Sequence, residues 1–419
     1  MRIPNEITVG QKNADVCGSD GRVIQMAVDY LSQRGGGTIK VLPGKYTLKN
    51  SIRLKSNIRL LGSGKNTIIR RCPIAVSTLP IDADYGQKEI TPKSTKGFTV
   101  GMGVILRDKD KPTVMGSQSL TITGIADGKL YVNDYIMHDW CAENGAIVAN
   151  YFPLIKGYKV DNVLVDGFTV DASIGEVPEA LAGYWAAGVH FGMSKNSVIR
   201  NIESNNCLGD GICVSTCEHV SVENCDTGYN SEYGIHVGGH SPWSKVLDCH
   251  IHHNDSDGLY ICWGVRESLI RGNRIHHNGT GKFRNGLSIG HKDTDNIIEE
   301  NHIYLNVKHG ICFRTKTDAN GAHRNIIRKN IIENNGSPEK MIPQYLRYLP
   351  SNEFIGTGVY INGITHDLVF ERNIIRETRP KNKRFQKRAF YLAPGVSRVR
   401  MVKNKITGHQ DKKTISNCG

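Results

Sequence analysis

Carboxylates recur at one place in a repeated pattern of this chain. Asp210 precedes Gly211, Asp257 precedes Gly258, and Glu232 stands one position earlier in the repeat between them. In an inverting glycosidase, an acid and a base of this type flank the glycosidic bond with room for a water between them. Strands stacked about 4.8 Å apart would place Asp210 and Asp257 roughly 10 Å apart, which is near that spacing. The alternative is that Asp-Gly is ordinary turn sequence here.

Histidine is concentrated in the same part of the chain, where 13 of the 16 lie between residues 190 and 323. His190, His236 and His291 fall on or beside the strand that follows each glycine, and Asp293 and Asp295 follow His291. A histidine oriented by an aspartate can transfer protons or hold a substrate, although the aspartates can equally stabilise a turn. The IHHN pairs at 252–253 and 276–277 are interpreted as stacked ladders, with a surface metal as the alternative; no metal site is assigned.

Cationic and aromatic side chains complete the set of candidates. Arg314 and Lys316 alternate outward in FRTKT, and two cations on one face suit a carboxylate or sulfate. Tyr260 and Trp263 can stack on a sugar ring or simply pack. Together with His190, these residues are the predicted substrate-binding groups.

These positions correspond to one another because the chain is built from repeats. Strand-opening glycines stand at 188, 211, 234, 258, 286, 310 and 358, spaced by 23, 23, 24, 28, 24 and 48 residues. Asparagines at 206, 230, 254, 278, 306 and 335 recur at a turn and are expected to form a hydrogen-bonded ladder. A period near 23 without the leucine-rich pattern predicts an all-β fold, a right-handed parallel β-helix of about ten coils.

Alternation along a strand predicts which side chains face outward. The second residue after each glycine gives an outward column of His190, Cys213, His236, Tyr260, Ser288, Cys312 and Tyr360. The next outward positions are mostly small, as at Gly192, Gly238 and Gly290. We therefore expect an open groove for an extended ligand, the alternative being a plain solvated sheet face.

The pattern divides the chain into three parts. Residues 1–91 hold an amphipathic helix, RVIQMAVDYLSQ, capped by Ser19 or Asp20, followed by the first coils. Such a helix covers the open end of a solenoid. Residues 92–150 break the repeat and predict a small β-hairpin insertion or flap that turns at Asp127-Gly128. Residues 151–419 form the main β-helix that carries the groove.

The amino-acid composition limits the classes of partner that the protein is expected to bind. A net charge of +13 favours an anionic ligand, or reflects a generally basic solvated surface. No Lys/Arg run interleaved with aromatics and no apolar run of about 18 residues is present, so neither nucleic acid nor a membrane is expected. Without a signal peptide in this form a cytoplasmic protein is expected, or an extracellular or periplasmic one if a signal has been removed. The 11 cysteines lack CxxC pairs and predict reduced, mostly buried thiols. No cofactor is assigned, and a homo-oligomer is left open.

Residues 20–70 and 160–408 resemble the pectate-lyase-like superfamily of right-handed parallel β-helix proteins, which implies the same fold for most of the chain. NGLSIG at 285–290 followed by HGICFRTKT at 309–317 resembles the active coils of pectin-hydrolysing polygalacturonases. That resemblance implies hydrolysis of an acidic glycan. Asp257 matches the second aspartate of the family's GDD motif; Ser256 replaces the first, Asn285 replaces its histidine, and His236 replaces another acid.

The sequence therefore predicts a carbohydrate-active enzyme that cleaves glycosidic bonds in an acidic polysaccharide or oligosaccharide. As a glycoside hydrolase it would use Asp257 as acid or base, Asp210 or Glu232 as the second carboxylate, and the histidines as assistants. As a polysaccharide lyase it would remove the proton beside a uronate carboxylate, with His236 or Tyr260 among the candidates. A non-catalytic glycan-binding or structural β-helix is the third hypothesis.

Overall fold

Stacked parallel strands form the body of the molecule. The computed structural model describes residues 5–108, 119–172, 186–346 and 355–410. Within these ranges the strands form a three-sided parallel β-helix with one ten-stranded sheet, one 21-stranded sheet and a separate six-stranded sheet. The predicted all-β solenoid of about ten coils is confirmed.

The ten-stranded sheet, here called the front sheet, contains the strand that follows each repeated glycine. Neighbouring strands are parallel throughout. In order along the sheet the strands are Ile52–Arg53, Ile155–Tyr158, Val189–Gly192, Ile212–Ser215, Ile235–Gly238, Leu259–Ile261, Leu287–Ile289, His309–Phe313, Thr357–Ile361 and Arg388–Leu392.

The 21-stranded sheet, here called the back sheet, supplies the other two sides of the coil. Each of these two sides has its own series of short strands. Near the N-terminal end, single long strands run through both series. The strands are Glu6–Gly10, Val16–Cys17, Gly37–Val41, Gly44–Leu48, Ile58–Arg71, Leu164–Asp171, Val198–Asn205, Ser221–Glu223, Asp226–Gly228, Lys245–Leu247, His250–His252, Leu269–Arg271, Arg274–His276, Ile297–Glu299, His302–Tyr304, Ile326–Arg328, Ile331–Glu333, Val369–Glu371, Ile374–Arg376, Arg400–Val402 and Lys405–Thr407.

The one α-helix in the described part of the chain, Gly21–Ser32, covers the N-terminal end of the coil. The Asp20 side chain accepts a hydrogen bond from the Arg22 backbone N–H, so Asp20 is the predicted cap. Ile24 and Leu31 are buried and join the solenoid core. Short 3₁₀ turns lie at Ala142–Asn144, Asp318–Asn320, Glu339–Met341, Gln344–Leu346 and Lys381–Lys383.

The insertion is an antiparallel sheet outside the coil. Its strands are Val76–Thr78, Glu89–Ile90, Gly103–Arg107, Leu120–Ala126, Lys129–Val132 and Ile147–Ala149. The hairpin turns at Asp127 and Gly128, whose φ angles of 50° and 74° suit the left-handed turn that the sequence predicts. The sheet begins at Val76, earlier than the predicted boundary at residue 92, because that strand pairs with Ile147–Ala149.

Inward-facing aliphatic side chains form one core along the axis. Ile212, Ile235 and Leu259 occupy successive coils and are fully buried, as the alternation predicts. The core cluster extends from Val9 to Val396. Each buried side chain of this size stabilises the folded state by about 1.5–3 kcal/mol relative to an exposed one.

Asparagine ladders hold the turns between coils. Each side-chain amide donates to the next rung, with bonds of 2.8–3.0 Å through the ladder Asn230, Asn254, Asn278, Asn306, Asn335. Gln386 continues this ladder, whereas Asn206 is exposed and outside it. The ladder is therefore confirmed from residue 230 onward. A second ladder, which the sequence reasoning did not single out, connects Asn273, Asn301, Asn330, Asn373 and Asn404.

Ten cysteines fall in the described ranges, all of them free and eight of them buried. None of the helices in those ranges is long and apolar enough to span a membrane.

Candidate active site

The predicted outward column of the front sheet has the expected register. His190 pairs with Cys213, Cys213 with His236, His236 with Tyr260, and Tyr260 with Ser288. The column is nevertheless not an open groove, because Cys213, His236 and Ser288 are buried. The expectation of an exposed column was wrong; alternation gives the direction of a side chain but does not show which neighbours cover it.

His236 links a buried carboxylate to a thiol. Its Nδ1 lies 3.0 Å from Asp210 Oδ2, and its Nε2 lies 3.3 Å from Cys262 Sγ. Asp210 is fully buried, and its other oxygen accepts a hydrogen bond from the Tyr233 backbone N–H. Gly238 makes this arrangement possible, since a Cβ there would lie 2.6 Å from His236 Nε2. Asp210 therefore positions His236 and is not placed to touch a substrate.

The charges of this pair are set by burial and by each other. Burial raises the pKa of Asp210 to about 6, while the hydrogen bond with His236 opposes the rise. Burial alone would lower the pKa of His236, but the sulfur atoms of Cys262 and Cys213 and the Asp210 hydrogen bond outweigh it, so this pKa is raised well above its ordinary value. The protonated form of the His236 ring is therefore favoured beside the Asp210 carboxyl group.

Tyr260 lies at the centre of the candidate site, half-buried and in contact on several sides. Its ring stacks on Tyr233 with centroids 4.1 Å apart and contacts the edge of His236 at 5.3 Å. The Arg314 guanidinium lies over it, 4.3 Å from the ring centroid. Within the described residues, nothing hydrogen-bonds to the Tyr260 hydroxyl. Burial raises the pKa of Tyr260, and Arg314 opposes the rise.

Arg314 is fixed by one of its nitrogens. Nη2 donates to the Ile261 and Gly290 carbonyls at 2.7 and 2.6 Å. Nη1 is buried without a hydrogen-bond partner among the described residues. None of those residues accepts a hydrogen bond from Nε. Asp293 Oδ2 lies 3.6 Å from Nη2. The guanidinium is therefore oriented through Nη2, and its charge together with the unused Nε donor suits an anionic group.

Asp293 and Asp295 do not orient His291, in contrast to one reading of the sequence. Asp293 accepts backbone hydrogen bonds from Gly264, Val265 and Gly290, and Asp295 pairs with Arg324. Burial raises the pKa of Asp293 to about 7 against the opposing effect of Arg314. The aspartates instead stabilise the turn, which is the alternative that the sequence left open.

Asp257 is held by one oxygen. Its Oδ1 accepts hydrogen bonds from the Asn285 backbone and side chain, at 3.1 and 3.0 Å, and from the Ser288 hydroxyl. No described residue donates to Oδ2. The side chain is 2% exposed on a whole-residue basis. Asn285, where the polygalacturonase resemblance has a histidine, thus positions this carboxylate.

Glu232 and the edge residues lie around this centre. Glu232 forms an ion pair with Lys282. Trp263, which is 51% exposed, lies 4.6 Å from the His291 ring. Lys316 is half-buried. Burial lowers the pKa of His291, and the positive charges of Lys316 and Arg314 lower it further. The exposed Trp263 ring and the half-buried His291 ring are tilted by 35° relative to each other.

His190 lies at the far end of the column, beyond Cys213. Its Nδ1 is buried without a hydrogen-bond partner among the described residues. Burial, with help from Lys156 and His236, lowers its pKa to about 3, so the ring stays neutral. His190 is thus three strands away from Tyr260 and is not part of the same cluster.

Two residues of the cluster were missed by the sequence reasoning. Tyr233 stands before a repeated glycine like Asp210 and Asp257, and that shared position was the available signal. Cys262 was given no role, because nothing local to it indicates a histidine 26 residues earlier.

The Asp210, Cys213 and His236 side chains also place three ligand atoms within 4.8 Å of one another. All three side chains are buried, and Asp210 and His236 are already joined by a hydrogen bond.

Comparisons with known proteins agree on the fold. The family model described as "Right handed beta helix region" matches residues 187–337. No curated protein matches the sequence significantly. The protein has the right-handed parallel β-helix fold.

Among solved structures, the A-module of the Azotobacter vinelandii mannuronan C-5 epimerase AlgE4 is similar, with TM-score 0.58, 14% identity and 96% of each chain covered. The Dettilon tailspike protein has TM-score 0.55 and 13% identity over 95% of this chain and 62% of its own. PfbA, a surface adhesin of Streptococcus pneumoniae, has TM-score 0.54 and 14% identity over 96% of this chain and 92% of its own. An epimerase, a tailspike and an adhesin share the fold, so the fold does not select a reaction.

Proposed function

We propose that the protein cleaves a uronic-acid-containing glycan by β-elimination, with Tyr260 and Arg314 at the reacting carbon. The observation that carries this proposal is the pairing of these two side chains. Among the described residues neither Arg314 Nε nor the neighbouring Tyr260 hydroxyl has a hydrogen-bond partner, and the guanidinium lies over the Tyr260 ring. An anion-binding group and a proton-transfer group thus lie side by side on one face.

Arg314 would hold the carboxylate of the uronic acid. The proton on the adjacent carbon becomes removable only when the negative charge that develops on the carboxylate is stabilised. A guanidinium does this with its positive charge and a hydrogen bond from Nε, and Arg314 is already fixed through Nη2. Little reorganisation is then needed when substrate binds.

Tyr260 would exchange protons with the sugar. As phenolate, Tyr260 takes the proton from C5; the electron pair forms the C4–C5 double bond and the C4–O bond breaks. The phenol then protonates the leaving oxygen. Arg314 stabilises the phenolate, which otherwise is disfavoured by burial. The Asp210–His236 pair packs behind Tyr260 and positions its ring.

The edge of the sheet would bind neighbouring sugars. Trp263 offers an exposed ring next to the half-buried His291, and Lys316 adds a cation close to His291. The name of the similar epimerase places its action at C-5 of mannuronan, the carbon from which this proposal removes a proton. Epimerisation and elimination share that first step.

Hydrolysis is the second candidate, because Asp257 is pinned through Oδ1 and no described residue donates to its Oδ2. An oriented carboxylate of this kind can serve as general acid or base. A hydrolase needs a second carboxylate, but Asp210 has both oxygens bonded and Glu232 is paired with Lys282. The geometry therefore favours elimination over paired-carboxylate hydrolysis.

The test is product analysis over a panel of acidic and neutral glycans. Elimination gives products with the ultraviolet absorbance of a conjugated double bond, whereas hydrolysis gives new reducing ends alone. Tyr260→Phe is expected to remove the activity, while Tyr229→Phe, an exposed tyrosine on the back sheet, leaves it unchanged. Asp257→Asn retains most of the activity if elimination is correct and abolishes it if hydrolysis is. Binding without products across the panel would favour a glycan-binding protein.

A further inference from the structure

Histidines form a cluster on the back sheet, away from the candidate active site. Asp226, His250, Arg274 and His302 follow one another in one outward column. The neighbouring column contains Gly228, His252, His276 and Tyr304. We call Asp226, His250, His252 and His276 the histidine cluster; it belongs to three consecutive coils.

One carboxylate joins two rings in this cluster. Asp226 Oδ2 lies 2.9 Å from His250 Nδ1, and its Oδ1 lies 3.1 Å from His252 Nε2. These three residues place one ligand atom each within 4.8 Å of one another. The side chains of Asp226 and His250 are 41% and 31% exposed, so an ion can enter from solvent.

Ring nitrogens also face ring nitrogens. His250 Nε2 lies 2.8 Å from His276 Nε2, and His252 Nδ1 lies 3.0 Å from His253 Nδ1. Such a contact is favourable only if one nitrogen carries a proton and the other presents a lone pair. On losing their protons, the two ring nitrogens that face Asp226 present lone pairs to a cation beside that carboxylate, which is how imidazoles bind metals.

The backbone makes room for this arrangement. A Cβ at Gly228 would lie 2.4 Å from His252 Cε1. Glycine therefore lets the His252 ring lie over the preceding coil, within reach of Asp226. Stacking of rings alone does not require that close approach, since His253 and His277 stack at 4.8 Å on the adjoining turn without it.

We propose that the histidine cluster binds one divalent transition-metal ion of the zinc type through Asp226, His250 and His252, with His276 beside it. Imidazole nitrogens and a carboxylate oxygen are suitable ligands for such an ion, and three of them leave a position for water. The ion replaces the protons shared within the cluster. Since the ligands come from consecutive coils, it ties those coils together and raises stability without taking part in the chemistry of the front sheet.

The experiment uses the full chain without a polyhistidine tag, stripped with a chelator. Zn²⁺ is titrated in competition with a chromophoric chelator, and the unfolding temperature is measured with and without Zn²⁺. One equivalent is expected to bind and to raise the unfolding temperature. His250→Gln and His252→Gln are expected to weaken binding at least tenfold and to remove the thermal shift. Asp226→Asn, the mildest change, is expected to weaken binding with the circular dichroism spectrum unchanged.

Two control variants separate this cluster from other histidines. His302→Gln alters the same column two coils further on, and its Nε2 bonds to Glu333 instead. His366→Gln alters a second set of three candidate ligands, formed with Asp318 and His323. Both controls should bind Zn²⁺ as the unmodified protein does. Absence of stoichiometric binding, unchanged affinity in the His250 and His252 variants, or loss only in His366→Gln would each overturn the proposal.

Discussion

Arg314 illustrates how a functional side chain is prepared by the backbone around it. Two carbonyls hold Nη2, and the Tyr260 ring supports the guanidinium plane. Arg314→Lys keeps the charge but loses the planar fork, so we predict a fall in kcat/KM on an acidic glycan of about a hundredfold, the size seen when one stabilising donor is removed. The control is Arg324→Lys, a surface arginine paired with Asp295, which should change little. An Arg314→Lys rate within a few-fold of the original would remove Arg314 from the mechanism.

His190 makes stability depend on pH. Its pKa is lowered to about 3 by burial and the nearby Lys156 and His236, against about 6.5 in an unfolded chain. Between these values the unfolded chain binds a proton that the folded protein does not, so acid favours unfolding. We predict that the free energy of unfolding falls as pH drops through this window, and falls less steeply in His190→Gln. Urea denaturation at several pH values measures both slopes; equal slopes would contradict the assignment.

The strands and turns were predictable because their signals are local. Gly211, Gly234 and Gly258 mark the start of successive front strands, and period-two alternation gives the side of each residue. The same alternation correctly aligned His190, His236 and Tyr260 in one column. It could not show that the column is largely covered, since the cover comes from residues distant in sequence such as Arg314.

The side-chain contacts between neighbouring coils also could not be predicted from the sequence pattern. The contact of His236 with Cys262 and the hydrogen bonds of Asn285 to Asp257 join residues on neighbouring coils, 26 and 28 positions apart. Their side-chain directions depend on glycines such as Gly238 and on packing across strands. The spacing of the repeats predicts which residues align on neighbouring coils. It does not predict which side chains form hydrogen bonds.

The asparagine ladder is the element whose loss we expect to lower the free energy of unfolding most. Asn278 is fully buried, accepts from the Asn254 backbone and side chain, and donates to Asn306. Asn278→Ala leaves several buried groups without partners, each costing about 1–3 kcal/mol, so we predict a loss of about 3 kcal/mol in the free energy of unfolding. Urea denaturation measures it, with exposed Asn66→Ala as a control expected within about 0.5 kcal/mol. A loss no larger than the control's would show that the ladder is not stabilising.

The solenoid as a unit provides two separate chemical faces on one continuous core. The front sheet presents Tyr260 and Arg314, and the back sheet presents the histidine cluster. Because each coil contacts mainly its neighbours, changes on one face are expected to leave the other intact. The net charge of +13 is consistent with an acidic glycan as the ligand of the front face.

The central claim is that Tyr260 and Arg314 carry out elimination on a uronic-acid glycan. The most direct measurement is the number of double bonds formed per new reducing end when the protein acts on a polyuronate. One double bond for each reducing end, with both lost in Tyr260→Phe, is the predicted result. Reducing ends without double bonds, or full activity in Tyr260→Phe, would contradict it.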